Sequence, residues 1–304
     1  MTNRPKGLAV LCAAIALVGA HHSEDHSLEP EGPAAVPLAP SLLVGSMERY
    51  AGASAWSSSE SFRLVPAEGF GRIAALDSAQ LTTVLKLNRI DEKHARRRLL
   101  IVPDSIADEL TYAPFPATLP QLDSVSKLIT VSRRLQAFGA YEYGRLVRWG
   151  PSSTGRKETP TEEGLFFTNW KSRETISTDD STWVLKWYFN IASGKGVAFH
   201  EYDLPGRPAS HGCVRLLEAD ARWIFDWAEQ WEVPSRKIVR KPLAYGTPVV
   251  IMGEYDYTGR APWMELAENP RAAQVSAEEM DSVLAGHLPR ILERVRQRRS
   301  LALR

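Results

Sequence analysis

Cysteine is scarce in this chain: the 304 residues hold two, Cys12 and Cys213. Neither has a neighbour at Cys-x-x-Cys spacing, and the His-x-x-x-His at His22 and His26 stands far from Cys213 in sequence, which speaks against a zinc ribbon, a disulfide framework and a metal site at His200, His211 and Cys213. Charge of a single sign is lacking too, with 37 Lys and Arg against 36 Asp and Glu and a net charge of +1. That balance leaves no basic footprint for nucleic acid. Glycine-rich phosphate loops and dinucleotide fingerprints are missing, so no cofactor is expected. No strand–Ser–helix elbow of the Gly-x-Ser-x-Gly kind surrounds a serine nucleophile.

The first twenty residues read as an export signal. Arg4 and Lys6 precede an apolar run from Gly7 to Ala20, and Val18-Gly19-Ala20 supplies the small residues of a cleavage site. The run is too short to span a bilayer comfortably, so cleavage after Ala20 is expected over a retained anchor, with no stable membrane insertion afterwards. Cleavage removes Cys12, Arg4 and Lys6, leaving one cysteine, about 284 residues and a charge near −1. The destination is the periplasm or cell envelope. A lone thiol in an oxidising compartment invites mispairing and over-oxidation, which is easier to understand if Cys213 does chemistry than if it is an inert core residue.

Residues 21–45 are rich in Pro, Ala, Glu and His without apolar period, the composition of a flexible tether. Residues 46–120 predict a small α+β module: a helix over Leu81–Leu87, a turn at Asn88 and a strand at Leu99–Pro103. That half resembles the closing part of a lysin-motif (LysM) sugar-binding module, and no matching opening strand is evident. The alternative is a small cap packed on the next domain. Pro114, Pro116 and Pro120 predict a linker.

From 122 to 253 short β-branched and aromatic runs dominate. Strands are expected at Leu128–Val131, Leu135–Phe138, Tyr141–Trp149 after a turn at Gly139, Leu165–Trp170, Trp183–Ile191, Val197–His200 and Pro248–Ile251. The fold class is mainly β, a mixed sandwich or barrel-like domain. One helix stands out, Leu217–Trp231, where Trp223, Ile224, Trp227, Ala228 and Trp231 recur at helical spacing and read as core. Beyond 253 lies an extension, 254–304, with a helix opened by Ser276 and Glu279 at capping-box spacing. Its apolar stripe runs from Met280 to Val295, and Arg290, Arg294, Arg296, Arg298 and Arg299 suit either packing on the body or an anionic surface.

The chemistry concentrates in Ser210-His211-Gly212-Cys213-Val214-Arg215-Leu216. A thiol attacks as thiolate, and cationic neighbours with backbone N–H groups at a glycine turn favour that form, so the stretch predicts a cysteine acyl-transfer site. His200, thirteen positions upstream, is the candidate base, suited by an ordinary pKa near 6.5. Gly212 and Cys213 N–H groups are the candidate oxyanion donors. His211 supports the sulfur or orients the turn; Ser210 reads as a turn residue; Arg215 binds a substrate carboxylate or fastens the loop.

In order along the chain, Val131 to Phe138, Ser153-Thr154-Gly155, Thr159-Pro160-Thr161 with Gly164-Leu165-Phe166, the Ser210–Leu216 stretch and Gly246–Ile251 resemble the L,D-transpeptidase family of cell-wall assembly. One departure is that Glu201 and Tyr202 follow His200 where the family commonly has Gly and Thr or Ser. The resemblance implies that Cys213 is acylated by a peptidoglycan tetrapeptide stem, releasing the terminal D-alanine, and that an amine on a second stem takes the acyl group. It also implies that a backbone carbonyl just after His200 holds the imidazole. Three alternatives stay open: water as acceptor, giving a carboxypeptidase; a protein lysine as acceptor; and a non-catalytic wall-binding or scaffold protein whose working part is the N-terminal module touching glycan.

Overall fold

A computed structural model describes residues 60–303 apart from 67–68, 70, 72–74, 97, 178–179 and 235–241. The expected signal peptide, the tether and the opening of the 46–120 module lie outside the described residues. Among the described residues no helix is long and apolar enough to cross a membrane.

The chain begins with strand β1 (Phe62–Val65), helix α1 (Ser78–Leu87), helix α2 (Glu92–Ala95) and strand β2 (Leu100–Pro103). β1 pairs antiparallel with β2, Phe62 opposite Pro103. The partner of β2 is thus Phe62-Arg63-Leu64-Val65, a four-residue strand with one charged member that the sequence did not reveal. α1 starts where Asp77 accepts from Gln80 N while the Gln80 side chain reaches back to Asp77 N, a reciprocal cap. It stops at Asn88, whose amide bonds Val84 O at 2.8 Å and Ile101 O at 2.7 Å and so ties helix to strand.

Nine further strands form one curled sheet: β3 (Leu128–Ser132), β4 (Ala137–Glu142), β5 (Arg145–Ser153), β6 (Gly164–Phe167), β7 (Lys171–Ile176), β8 (Val184–Ala192), β9 (Val197–Glu201), β10 (Val214–Leu216) and β11 (Pro248–Met252), in spatial order β6-β11-β3-β4-β5-β10-β9-β8-β7. The class is mainly β, as expected. The central strands are covered on both faces, which is why they read as unbroken apolar runs. On one face Ile129, Val131, Phe138, Val249 and Ile251 pack with Ile224 of helix α3 (Glu218–Trp227). On the other, Leu128, Tyr141, Trp149 and Val250 meet Leu87 of α1, Trp263, Met280 and Leu284 of α4 (Ala277–Ala285) and Ile291 of α5 (Leu288–Ala302).

Four expectations are corrected. Gly139 lies inside β4, opposite Thr130 and Trp149, and the turn falls at Tyr143-Gly144, whose φ values of 46° and 73° make a two-residue hairpin. The prolines at 114 and 116 mark no free linker: Ala113 to Pro116 are buried, Phe115 touches the Gly139 position, and Tyr141 donates to Pro116 O at 2.8 Å. α3 ends at Trp227 rather than Trp231, where Lys127 and Lys171 donate to the carbonyls of Trp227 and Phe225. The single C-terminal helix is two, parted at Gly286-His287.

Most of the C-terminal arginines are taken up by the body, while Arg296 is exposed and, among the described residues, bonds only Leu292 O of its own helix. Arg298 donates to Tyr245 O at 2.9 Å and pairs with Glu229 and Glu232, Arg299 donates to Ser124 O at 2.6 Å, and Arg294 stacks over Tyr245. The N-terminal elements are bound as firmly. Lys86 of α1 is buried between Glu109 and Asp220 of α3, and Asp220 also receives both Nε and Nη2 of Arg148.

Candidate active site

β9 and β10 run parallel, with His200 opposite Arg215. Cys213 ends the turn that leads into β10, and its side chain shares a pocket with those of His200 and Arg215. They line a small pocket with Ser177, Trp183, Leu185, Tyr202, Ser210 and His211. All five sequence-predicted side chains, those of residues 200, 210, 211, 213 and 215, thus meet at one place. Gly212 turns beneath them.

His200 is 4% exposed. Its Nδ1 lies 2.9 Å from Glu201 O. A carbonyl can only accept, so Nδ1 carries the hydrogen and Nε2 keeps its lone pair. The departure from the family pattern after His200 therefore leaves the contact intact, because the backbone of Glu201 makes it. Burial, with a smaller push from Arg215 and against the Glu201 carbonyl, lowers the His200 pKa to about 4. This corrects the expectation of an unperturbed imidazole: at neutral pH the ring is an uncharged base.

The same shift is a statement about stability. An unfolded histidine binds its proton near pH 6.5, whereas this one refuses it until about pH 4. Its contribution is complete above about pH 6.5 and falls as the pH drops towards 4, by about 3 kcal/mol in all. We expect urea midpoints measured between pH 7 and 4.5 to fall more steeply for the wild type than for His200→Gln; parallel curves would show that His200 is not the group held neutral.

Cys213 is half-buried, and its Sγ donates to Gly196 O at 3.5 Å. The same carbonyl accepts from Tyr188 Oη at 3.4 Å. Arg215 stacks over Tyr202 at 4.5 Å and makes no ion pair among the described residues. Its guanidinium is left facing the pocket, and burial lowers its pKa. His211 is exposed and lies against Trp183 at 5.4 Å.

The turn that carries the sulfur is fixed from below. Ser210 Oγ donates to Cys213 O at 2.5 Å and accepts from Gly212 N at 3.1 Å. Thr161 Oγ1 donates to Gly212 O at 2.8 Å and accepts from Gly155 N at 2.8 Å. Thr154 O accepts from Ala209 N and Ser210 N, and Arg156 N donates to Ser210 O. Gly155 must be glycine because a Cβ would stand 2.1 Å from Thr159 O. Gly212 is glycine for another reason: φ is +116°, while a Cβ there would meet nothing within 4 Å. The expected oxyanion donor Gly212 N is thus engaged by Ser210 Oγ in this structure. Sequence reasoning missed the buried Thr161 hydroxyl as the prop of Gly212 and the aromatic wall of Trp183, Tyr188 and Tyr202; the first was signalled only by its place in the Thr-Pro-Thr segment.

Residues 126–251 match the YkuD family, described as the L,D-transpeptidase catalytic domain. No curated protein matches the chain. Among solved structures, an L,D-transpeptidase from Mycobacterium smegmatis aligns at 19% identity over 42% of this chain and 59% of its own, with a TM-score of 0.33. One from Stackebrandtia nassauensis aligns at 20% identity over 44% and 58%, TM-score 0.35. LdtMt1 in complex with imipenem aligns at 20% identity over 42% and 59%, TM-score 0.33. The chain spans less than two-thirds of each.

Proposed function

Starting from a YkuD-type catalytic domain over residues 126–251, we propose that this protein is a cysteine-dependent L,D-transpeptidase of the cell envelope, acting on peptidoglycan stem peptides. The observation that carries the reading is one pocket holding Cys213, a neutral imidazole with Nε2 unprotonated, and an arginine that makes no ion pair among the described residues.

The reaction follows from those states. Cys213 Sγ attacks the carbonyl carbon of the amide before the terminal D-alanine, and its proton passes to His200 Nε2. The C–N bond breaks, the leaving amine takes that proton, and a thioester remains. An acceptor amine then attacks the thioester, His200 removes its proton, and returns it to the departing sulfur. The imidazole, uncharged beforehand, takes up the thiol proton as the sulfur attacks. Backbone N–H groups of Cys213 and Gly212 serve the oxyanion, Gly212 after Ser210 Oγ yields it. Arg215 binds a carboxylate of the stem; His211 and Trp183 form the pocket rim.

Purified protein incubated with defined tetrapeptide muropeptides should yield a cross-linked dimer with loss of D-alanine by mass spectrometry. Tripeptide alone would make water the acceptor and the protein a carboxypeptidase. Unchanged muropeptides, bound but not processed, would support a scaffold instead. The β1–α1–α2–β2 arrangement supports the lysin-motif resemblance, and glycan contact by that module is part of the proposal.

A further inference from the structure

Parallel neighbours such as β9 and β10 need a crossover, and a dozen or more residues, usually helical, commonly make it. Here the path from His200 to Cys213 is short and holds no helix. The ladder persists to Tyr202, whose N–H donates to Leu216 O, and the chain is next paired at Pro205, with Ile90, and at Ser210, with Gly155. The stretch between is irregular backbone beside the pocket. Its far end is held by the sheet domain, where Ser153 Oγ donates to Arg207 O at 2.7 Å and Ala209 N to Thr154 O.

The near end is held by the N-terminal module. Leu204 N donates to Asp91 Oδ2 at 2.9 Å, and Asp91 N donates back to Leu204 O at 3.2 Å. Ile90 bridges Pro205 in the antiparallel sense. Leu204 is fully buried, and Gly206, at φ +69°, passes so close to Ile90 that a Cβ would stand 2.9 Å from its Cγ2. Lys93 and Asp203 add an ion pair at the exposed rim, which is worth little by itself. Asp91 has a second task, since its Oδ1 caps α2 by accepting from His94 N at 3.1 Å and lies 2.6 Å from His94 Nδ1.

We propose that Asp91 is a positioning residue: by clamping Leu204 it fixes the crossover between His200 and Cys213 and so sets the spacing of the two reacting side chains. This rests on the transpeptidase reaction only in that His200 and Cys213 work together. The module then serves the chemistry as a brace from outside the sheet.

Serine at 91 separates the two tasks. Its hydroxyl still caps α2 but is too short to reach Leu204 N as well. The amide oxygen of Asp91→Asn can still accept from Leu204. Two probes are applied to the full chain: a carbapenem, which acylates Cys213 only if the proposed function holds, and iodoacetamide, which needs only a reactive sulfur beside its base. Peptide mapping assigns both to Cys213.

Asp91→Ser should slow the first-order acylation step and the alkylation by about 10-fold, with carbapenem binding and the urea midpoint unchanged, and Asp91→Asn should recover most of both rates. If the carbapenem leaves the wild type unmodified while alkylation still slows in Asp91→Ser, the transpeptidase reading fails and the clamp stands. Equal rates in Asp91→Ser and wild type overturn the clamp. Rates that fall only in step with the midpoint in both variants overturn it too, because Asp91 would then act on folding alone.

Discussion

Cys213→Ala will leave the protein free of any covalent adduct after carbapenem treatment, where the wild type gains one adduct per chain. Cys213 is the one cysteine among the described residues, and the other, Cys12, falls in the expected signal peptide. Mass spectrometry of the intact protein reads the result directly; an adduct on Cys213→Ala would remove this sulfur as nucleophile. His200→Ala should retain the adduct but acquire it at least ~100-fold more slowly, the usual size of a lost general base. An unchanged rate would move the role to His211. The pH profile separates this base from an ordinary histidine. With its pKa held at about 4, His200 keeps its lone pair through the mildly acidic range, so the acid limb of wild-type acylation should fall near pH 4 and not near 6.5.

The largest effect on the fold should come from Arg89. It is 1% exposed, sits at a left-handed φ of 58° just past α1, and has no carboxylate partner among the described residues. Its Nε donates to Leu135 O at 2.9 Å and its Nη1 to Lys86 O at 2.6 Å, while the guanidinium lies 5.2 Å from the Trp149 ring centre and 5.5 Å from that of Trp263. Burial lowers its pKa to about 9, still well above neutrality, so it is buried charged. One residue thus joins the N-terminal module, the sheet and the C-terminal extension. Arg89→Ala leaves a cavity between two tryptophans and strands carbonyls of two segments, a loss of about 3–5 kcal/mol in denaturant titrations. Arg89→Met should restore the packing part and remain about 1–3 kcal/mol short. A methionine variant as stable as the wild type would mean that the hydrogen bonds contribute nothing net.

Much of the catalytic layer could be read before any coordinates. The two-faced burial of the sheet makes its central strands apolar without interruption, and the Ser210–Leu216 stretch concentrates the chemistry in seven adjacent residues. What escaped has physical causes. β7 is an edge strand with exposed residues, so Lys171-Ser172-Arg173-Glu174-Thr175-Ile176 lacks the apolar content that marks a strand. β10 is three residues long and hidden inside the signature itself. Prolines at 114 and 116 suggest a linker because proline cannot join a ladder, yet their carbonyls and rings pack well in a core. Contacts such as Asp91 with Leu204 or Lys86 with Asp220 join positions more than a hundred residues apart, and no local pattern announces them. The drop in the His200 pKa also needed the fold, since burial causes it.

A practical consequence lies in the hydrophobic cluster that Phe62, Leu87 and Ile101 share with Trp149, Trp263, Met280 and Ile291. Trimming the gene to the span recognisable as a catalytic unit would bare one whole side of the sheet to water. Such a fragment should come out of expression hosts as insoluble material, and useful truncation libraries for this protein must keep both flanks.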